Sequence, residues 1–365
     1  MPQGFKRKLL KFRFLVKYAL ILGVCFLLYI FISKAVLPLY SFTKANNITS
    51  QFLIKLITNK QLSIKSYQDR SNILILGFSG GNHEGSDLSD TMMVLSIDPN
   101  KKDALFISIP RDLWVPSLKA KINTAFHYGE EKKPGSGGMV LAKATVSEVI
   151  GEPIQYALGL DFSGFRTLID LLDGIEVNIE DSFEDDKFPI EGKENDFCGG
   201  DPTFSCRYEK ISFIKGVQHM DGAMALKYVR SRYASGKAGT DFSRSKRQQQ
   251  VILAVREKLF RLSPISDRQK VVDFINTFNS TIKADMNWSE KLSFARIFST
   301  MNNKNLRHIT LDTGDKKQNT KGYLINPPLW QYNGEWVLAP RSGDFNEIQS
   351  FVKCEMYDAN CQMMP

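Results

Sequence analysis

Between Tyr228 and Gln250 the chain reads YVRSRYASGKAGTDFSRSKRQQQ, which gathers Arg230, Arg232, Lys237, Arg244, Lys246 and Arg247 around one acid, Asp241. Arginine presents a planar fork of donors that grips phosphate oxygens in pairs, so this composition suits an oxyanion ligand. ALKYVRSR has apolar residues at helical spacing at Ala225, Leu226 and Val229. Arg230 and Arg232 lie two apart, so they converge only if that helix ends near Arg230. On the next helix Arg244, Arg247 and Gln248 fall at i, i+3 and i+4 and share a face, with Asp241 as the expected cap. A solvated basic face has the same composition. Phe242 and the adjoining apolar positions favour a place beside an apolar wall.

Two further clusters carry chemistry. GFSGGNHEGSDLSDT, residues 77–91, is a glycine-rich turn with His83, Glu84, Asp87 and Asp90 between two apolar runs. Its glycines permit positive φ, and its carboxylates are the hard oxygen ligands that Mg²⁺ takes when it bridges to phosphate. It is neither a P-loop nor a dinucleotide fingerprint, and an ordinary loop with Asp90 ending a strand accounts for it equally. SIPRDLW, residues 108–114, sets Arg111 just past an apolar strand and a proline. That is the strand end where α/β sheets collect ligands, although an ion pair to Asp112 or Asp90 explains the same arginine. Several arginines with a magnesium ion would neutralise a diphosphate.

The elements that must position these groups follow from the apolar patterning. NILILGF (72–78), TMMVLSID (91–98) and ALFISIP (104–110) are short, β-branched runs that predict buried strands, the last two joined by the turn PNKKD. Helical spacing near 137–150, 163–172, 221–232, 242–260, 267–283, 288–302 and 344–353 alternates with strand-like 155–162, 175–180, HITLD and EWVLAP. That alternation predicts an α/β layer fold for residues 71–355, followed by a short tail at 356–365.

The net charge of +9 would suggest nucleic acid, but seven cations and no acid lie in residues 1–34, leaving the rest nearly neutral. No helix-turn-helix or basic–aromatic platform supports nucleic acid as a partner. Residues 18–33, YALILGVCFLLYIFIS, carry no charge and are flanked by Lys17 and Lys34. We expect a basic cytoplasmic tail over 1–17, a transmembrane signal anchor over 18–37 and an extracellular stalk over 38–70. Cys198 with Cys206 and Cys354 with Cys361 form two short-spaced pairs that fit local disulfides in an exported region and match no zinc pattern.

Five ordered blocks resemble the LytR-CpsA-Psr family of cell-envelope proteins: LSDTMMVLSIDPNKKDALFISIPRDLWV, KINTAFHYG, LDFSGFRTLIDLLDGIEVNI, GVQHMDGAMALKYVRSR with TDFSRSKRQQQVILAV, and WVLAPRSGDFNEIQSFV. The resemblance implies a three-layer α-β-α sandwich around a central mixed sheet. It also implies a Mg²⁺-dependent enzyme that moves a glycopolymer from a polyprenyl-pyrophosphate carrier to a peptidoglycan hydroxyl, with pyrophosphate hydrolysis as a side activity. By that likeness Asp90 and Asp87 hold the metal. Asp90, Arg111, Arg230, Arg232 and Arg244 form the reacting centre, while Arg247, Gln248, Lys121 and Asn123 bind substrate. Two positions depart from the family pattern: Ser79 stands where an aspartate is frequent, and Leu88 where an arginine precedes SDT. Asp87 or Glu84 is the expected stand-in for the missing carboxylate. A non-catalytic binder of the same lipid or glycan would keep the arginines and tolerate Ser79.

Overall fold

The computed structural model describes residues 64–362 except 82–84, 194, 235, 263–266, 303–304, 315–320 and 359, together with parts of 17–58. It divides into two compact units, 64–286 with 297–365, and 1–63 with 287–296. The smaller includes short helices at Leu37–Ala45 and Ser50–Thr58. Among the described residues no helix is long and apolar enough to cross a membrane. The expected span 18–37 falls in part outside those residues.

The larger unit is built on β1 (Ser71–Phe78), β2 (Ser89–Asp98), β3 (Asp103–Ile109), β4 (Tyr156–Asp161), β9 (Lys283–Ala284) and β10 (Leu306–Thr310), in the order β9-β4-β1-β2-β3-β10. β1 runs antiparallel to β2 and parallel to β4, and β3 runs antiparallel to β2 and parallel to β10. The sheet is therefore mixed. The same directions bring the ends of β1, β3, β4 and β10 and the start of β2 to one edge.

The helices include α1 (Ala125–Lys132), α2 (Gly137–Ile150), α3 (Phe162–Leu171), α4 (Gly222–Arg230), α5 (Asp241–Arg261), α6 (Arg268–Thr281) and α7 (Asn346–Tyr357). Alternate side chains of the strands decide the layers. Leu74, Leu76, Phe78, Met92, Val94, Leu105 and Ile107 enter one core with Phe126, Met139, Val146, Ile348 and Val352 of α1, α2 and α7. Thr91 points the other way from Met92, and there Gln248 of α5 donates to its hydroxyl at 3.2 Å. Helices thus cover both faces, which is why the strands read as nearly continuous apolar runs.

A second core joins α3 and α4 to two nested antiparallel strand pairs. β5 (Ile175–Ile179) pairs with β8 (Gly216–Met220), and β6 (Phe183–Pro189) with β7 (Tyr208–Phe213). Ile175, Val177, Phe183, Phe213, Met220 and Tyr228 fill it. Both cysteine pairs are disulfides, Cys198–Cys206 and Cys354–Cys361. EWVLAP supplies only Ala339–Pro340 as a strand, because Leu338 is engaged in a bridge to Leu113 instead.

Candidate functional site

The shared edge of the sheet carries the site. Across β1 and β2, Gly77 pairs with Thr91 but Phe78 pairs with Ser89, so Asp90 is the extra residue of a bulge. A bulge turns a side chain out of the strand's alternation, and here it sends Asp90 to Arg111 at the end of β3. A carboxylate oxygen of Asp90 accepts from Arg111 Nη1. Asp112 Oδ2 lies 3.5 Å from Arg111 Nε on the other side. Burial pulls the Arg111 guanidinium down, but the Asp90 and Asp112 carboxylates outweigh it, and its pKa is raised.

Arg232 comes from the loop after α4. The helix ends at Arg230, as convergence of the two arginines would need, and Ser231 is already extended with ψ 128°. The two guanidiniums nevertheless part. Arg230 stacks over Phe162 at 4.4 Å and Phe188 at 5.4 Å, whereas Arg232 enters a cavity of about 370 Å³. That cavity is lined by Arg111, Asp112, Arg232, Tyr233, Gly239, Thr240, Arg244 and Trp336. A Cβ on Gly239 would meet the Ala234 carbonyl at 2.3 Å, so only glycine lets the loop fold this tightly against the cavity wall.

The cap of α5 is one residue earlier than expected. The Thr240 hydroxyl accepts from Ser243 N at 3.2 Å, and Asp241 is the first helical residue. Arg244 therefore lies in the first turn of a 21-residue helix whose positive end meets the cavity. A separate small cavity of about 10 Å³ shares Arg244 with it and is lined also by Asp90, Thr91, Ser108, Ser245, Gln248 and Thr310. Three arginines, a helix N-terminus and a bulged carboxylate thus meet in one place.

Four of the expected ligands lie outside the lining of that cavity. Arg247 is only 4% exposed and donates to backbone carbonyls, to Tyr228 O at 3.0 Å, Ser231 O at 2.6 Å and Ala238 O at 2.8 Å. Burial lowers its pKa to about 10. It braces the loop that carries Arg232 and does not line the cavity. Lys121 lies 3.6 Å from Asp112 and 3.8 Å from Glu335. Asn123 is buried and donates its backbone N–H to the Arg111 carbonyl at 3.2 Å. Neither lines the cavity. Asp87 accepts from or shares a proton with His127 Nδ1 at 2.8 Å, and that contact raises the His127 pKa.

The expected metal pair is thus split, Asp90 toward Arg111 and Asp87 toward His127. Glu84 lies outside the described residues. Among the described residues the one cluster of three metal-type ligands is Asp196 with Cys198 and Cys206, whose sulfurs are spent in a disulfide. Magnesium needs less, because one carboxylate together with substrate phosphate oxygens satisfies it. Asp90, 31% exposed at its side chain, fits as that single carboxylate.

Sequence reasoning missed Asp185, which lies in the acidic run FEDDK and looks like solvated surface. It is fully buried in β6 and accepts from Ser231 Oγ at 2.7 Å and from the backbone N–H groups of Arg232 and Tyr233 at 3.1 Å each. The alternation Phe183, Asp185 on one face was the available signal.

Fold and site define an α/β protein with a cationic crevice at one sheet edge. The LytR_cpsA_psr family model matches residues 36–330, and the chain belongs to that family. Among curated relatives, the polyisoprenyl-teichoic acid–peptidoglycan teichoic acid transferase TagV of Bacillus subtilis (strain 168) is 27% identical over 67% of this chain, a stretch that spans 57% of the relative. TagT of the same organism is 28% identical over 69% of this chain and 73% of its own length. The crystal structure of B. subtilis TagV superposes with a TM-score of 0.54 at 22% identity, covering 80% of this chain and 98% of that one. TagT bound to LIIa-WTA gives 0.52 at 21% identity, covering 80% and 94%. These likenesses establish the α/β fold with its central mixed sheet.

Proposed function

We propose that the chain is a phosphotransferase of the cell envelope, which moves a glycopolymer from a polyprenyl-pyrophosphate carrier to a peptidoglycan hydroxyl. The observation that carries this reading is the convergence of Arg111, Arg232 and Arg244 on one cavity at the N-terminus of α5, beside Asp90. Guanidiniums fixed in advance around a diphosphate stabilise the charge that spreads over phosphoryl oxygens in a loose transition state. The acceptor oxygen bonds to the phosphorus nearest the sugar, the bond from that phosphorus to the bridging oxygen breaks, and polyprenyl phosphate leaves. The hydroxyl proton passes to Asp90, the carboxylate ion-paired to Arg111 of the cavity wall. Magnesium held by Asp90 would supply charge neutralisation to the leaving phosphate.

Residues 18–37 anchor the protein in the cell membrane in this reading, with the basic residues 1–17 in the cytoplasm and the larger unit outside. The names of TagV, TagT and a TagU relative support the substrate class, as these three are polyisoprenyl-teichoic acid–peptidoglycan teichoic acid transferases. Ser79 after β1 and the Asp87–His127 contact favour a second reading, a binder of the same lipid-linked glycan without turnover. The full chain in detergent, given Mg²⁺, a polyprenyl-pyrophosphate glycan and peptidoglycan, separates them. Release of polyprenyl phosphate with a new phosphodiester signal in ³¹P spectra supports the transferase. Saturable binding without release supports the binder and ends the transferase assignment.

A further inference from the structure

Two of the residues lining the arginine cavity are aromatic, Trp336 and Tyr233. Trp336 is 50% exposed and Tyr233 is 64% exposed, although either ring would gain by burial in a core. They reach the cavity from segments about a hundred residues apart, and in both cases the backbone is fastened. Leu338, two residues after Trp336, donates its N–H to the Asp112 carbonyl at 2.9 Å and accepts from Trp114 N–H at 2.7 Å. Val337 accepts from the Asn326 side chain at 2.7 Å, and Glu335 lies near Lys121. For the other ring, Tyr233 N–H is held by the buried Asp185 carboxylate at 3.1 Å, and Ala234 is bridged to that same residue.

Open rings on such anchored backbones give large, flat contact areas at small entropic cost when a ligand arrives. The chemistry of the surroundings decides which ligand. A polyprenyl chain laid on these rings would bring hydrocarbon against Arg111, Arg232 and Arg244 and strip them of water without return. A ligand with an apolar face and a polar rim meets both requirements, because its C–H groups rest on the rings and its hydroxyls stay wet. A pyranose has that form.

The geometry points to a sugar-binding subsite on Trp336 and Tyr233, which holds a pyranose ring against the mouth of the cavity while the arginines take the adjoining phosphates. This deepens the transferase reading and rests on it for the identity of the phosphate. Either of two sugars meets the description, the pyranose that carries the pyrophosphate of the donor or the pyranose that bears the accepting hydroxyl, and the test has an arm for each.

The full chain in detergent is titrated with an uncharged β-1,4-linked N-acetylglucosamine tetramer, followed by tryptophan fluorescence and calorimetry. Binding is expected in the wild type and in Arg232→Ala, and about tenfold weaker in Trp336→Ala, with partial recovery in Trp336→Phe. In turnover, Trp336→Ala raises KM about tenfold for the donor if the donor sugar stacks there, or for peptidoglycan if the acceptor sugar does, and changes kcat less. Thermal melts of Trp336→Ala and Tyr233→Ala match the wild type, since the rings are exposed. If tetramer affinity and both KM values stay unchanged in Trp336→Ala and in Tyr233→Ala, the subsite is refuted. A preparation that never releases polyprenyl phosphate refutes the transferase reading alone, because the tetramer titration still decides the subsite.

Discussion

The Ser231 hydroxyl donates to the buried Asp185 carboxylate at 2.7 Å while the Ser231 carbonyl accepts from Arg247 at 2.6 Å, so one residue is gripped from both sides. Ser231 separates Arg230 from Arg232. The contrast between a guanidinium stacked on Phe162 and one in the cavity is therefore fixed by a serine that does not itself line the cavity. Replacing Asp185 with alanine leaves the buried Ser231 hydroxyl and the partly buried N–H groups of Arg232 and Tyr233 without this acceptor. At about 1–3 kcal/mol for a buried orphan and less for the other two, the loss is roughly 2–3 kcal/mol. We expect Asp185→Ala to lower the melting temperature by roughly 5 °C or more and to abolish turnover. An unchanged melt would show that the loop is held by something else.

Arg244 and Arg247 lie three apart on α5 and should respond oppositely to the same change. Arg247→Ala removes three charge-assisted bonds to carbonyls that water cannot reach, at a cost of about 3 kcal/mol or more, so the melting temperature falls. Arg244→Ala removes a cation from the cavity lining, so turnover falls by two orders of magnitude or more with a melt near the wild type. Differential scanning calorimetry beside a transfer assay checks the pair. Equal melts with equal activity losses would place both guanidiniums on the substrate.

How far the sequence disclosed this site depends on the kind of signal each residue leaves. β1, β2 and β3 were legible because a strand covered on both faces has to be a run of apolar residues. Arg111 was legible as the first charge after such a run. Arg247 was misread because helical spacing reports which residues share a face and not whether that face meets a ligand or a carbonyl-lined loop. Asp185 was hidden because the hairpin of Phe183–Pro189 with Tyr208–Phe213 encloses a 190–207 insertion, and the buried–exposed–buried alternation of Phe183, Glu184 and Asp185 is masked by Asp and Lys neighbours. The bulge at Asp90 depends on pairing register, which a single strand's sequence does not contain.

His308 of β10 gives the fold an acid sensitivity. Burial, with the charge of Lys246 second, lowers its pKa from 6.5 to about 4, and its Nε2 lies 3.2 Å from Thr310 Oγ1. The unfolded chain binds this proton more readily than the folded one, so stability is complete above pH 6.5 and declines as the pH falls toward 4. His127 acts in the opposite sense. Its pKa is raised by Asp87, so its contribution is present below pH 6.5 and is lost as the pH rises through the folded value, but the pair is too exposed to weigh much. The expected result is a melting temperature that drops between pH 7 and pH 5, with a smaller drop in His308→Gln. Parallel slopes would assign the acid sensitivity to another group.

Asp90 neutralises the arginine that a diphosphate needs, and this sets affinity against turnover. With side chains 33% and 31% exposed, the Arg111–Asp90 pair is worth about 1 kcal/mol at most, and a phosphate that displaces Asp90 must give that much back. In the presence of a chelator, Asp90→Ala is therefore expected to bind inorganic pyrophosphate roughly fivefold more tightly than the wild type. Arg111→Ala should bind it more weakly. With Mg²⁺ and the complete substrates, Asp90→Ala should lose turnover, because the carboxylate that would hold the cation and accept the proton is gone. Calorimetry with pyrophosphate and the transfer assay measure the two halves separately. If Asp90→Ala weakens metal-free pyrophosphate binding, Arg111 does not meet the phosphate, and the clamp is reduced to Arg232 and Arg244.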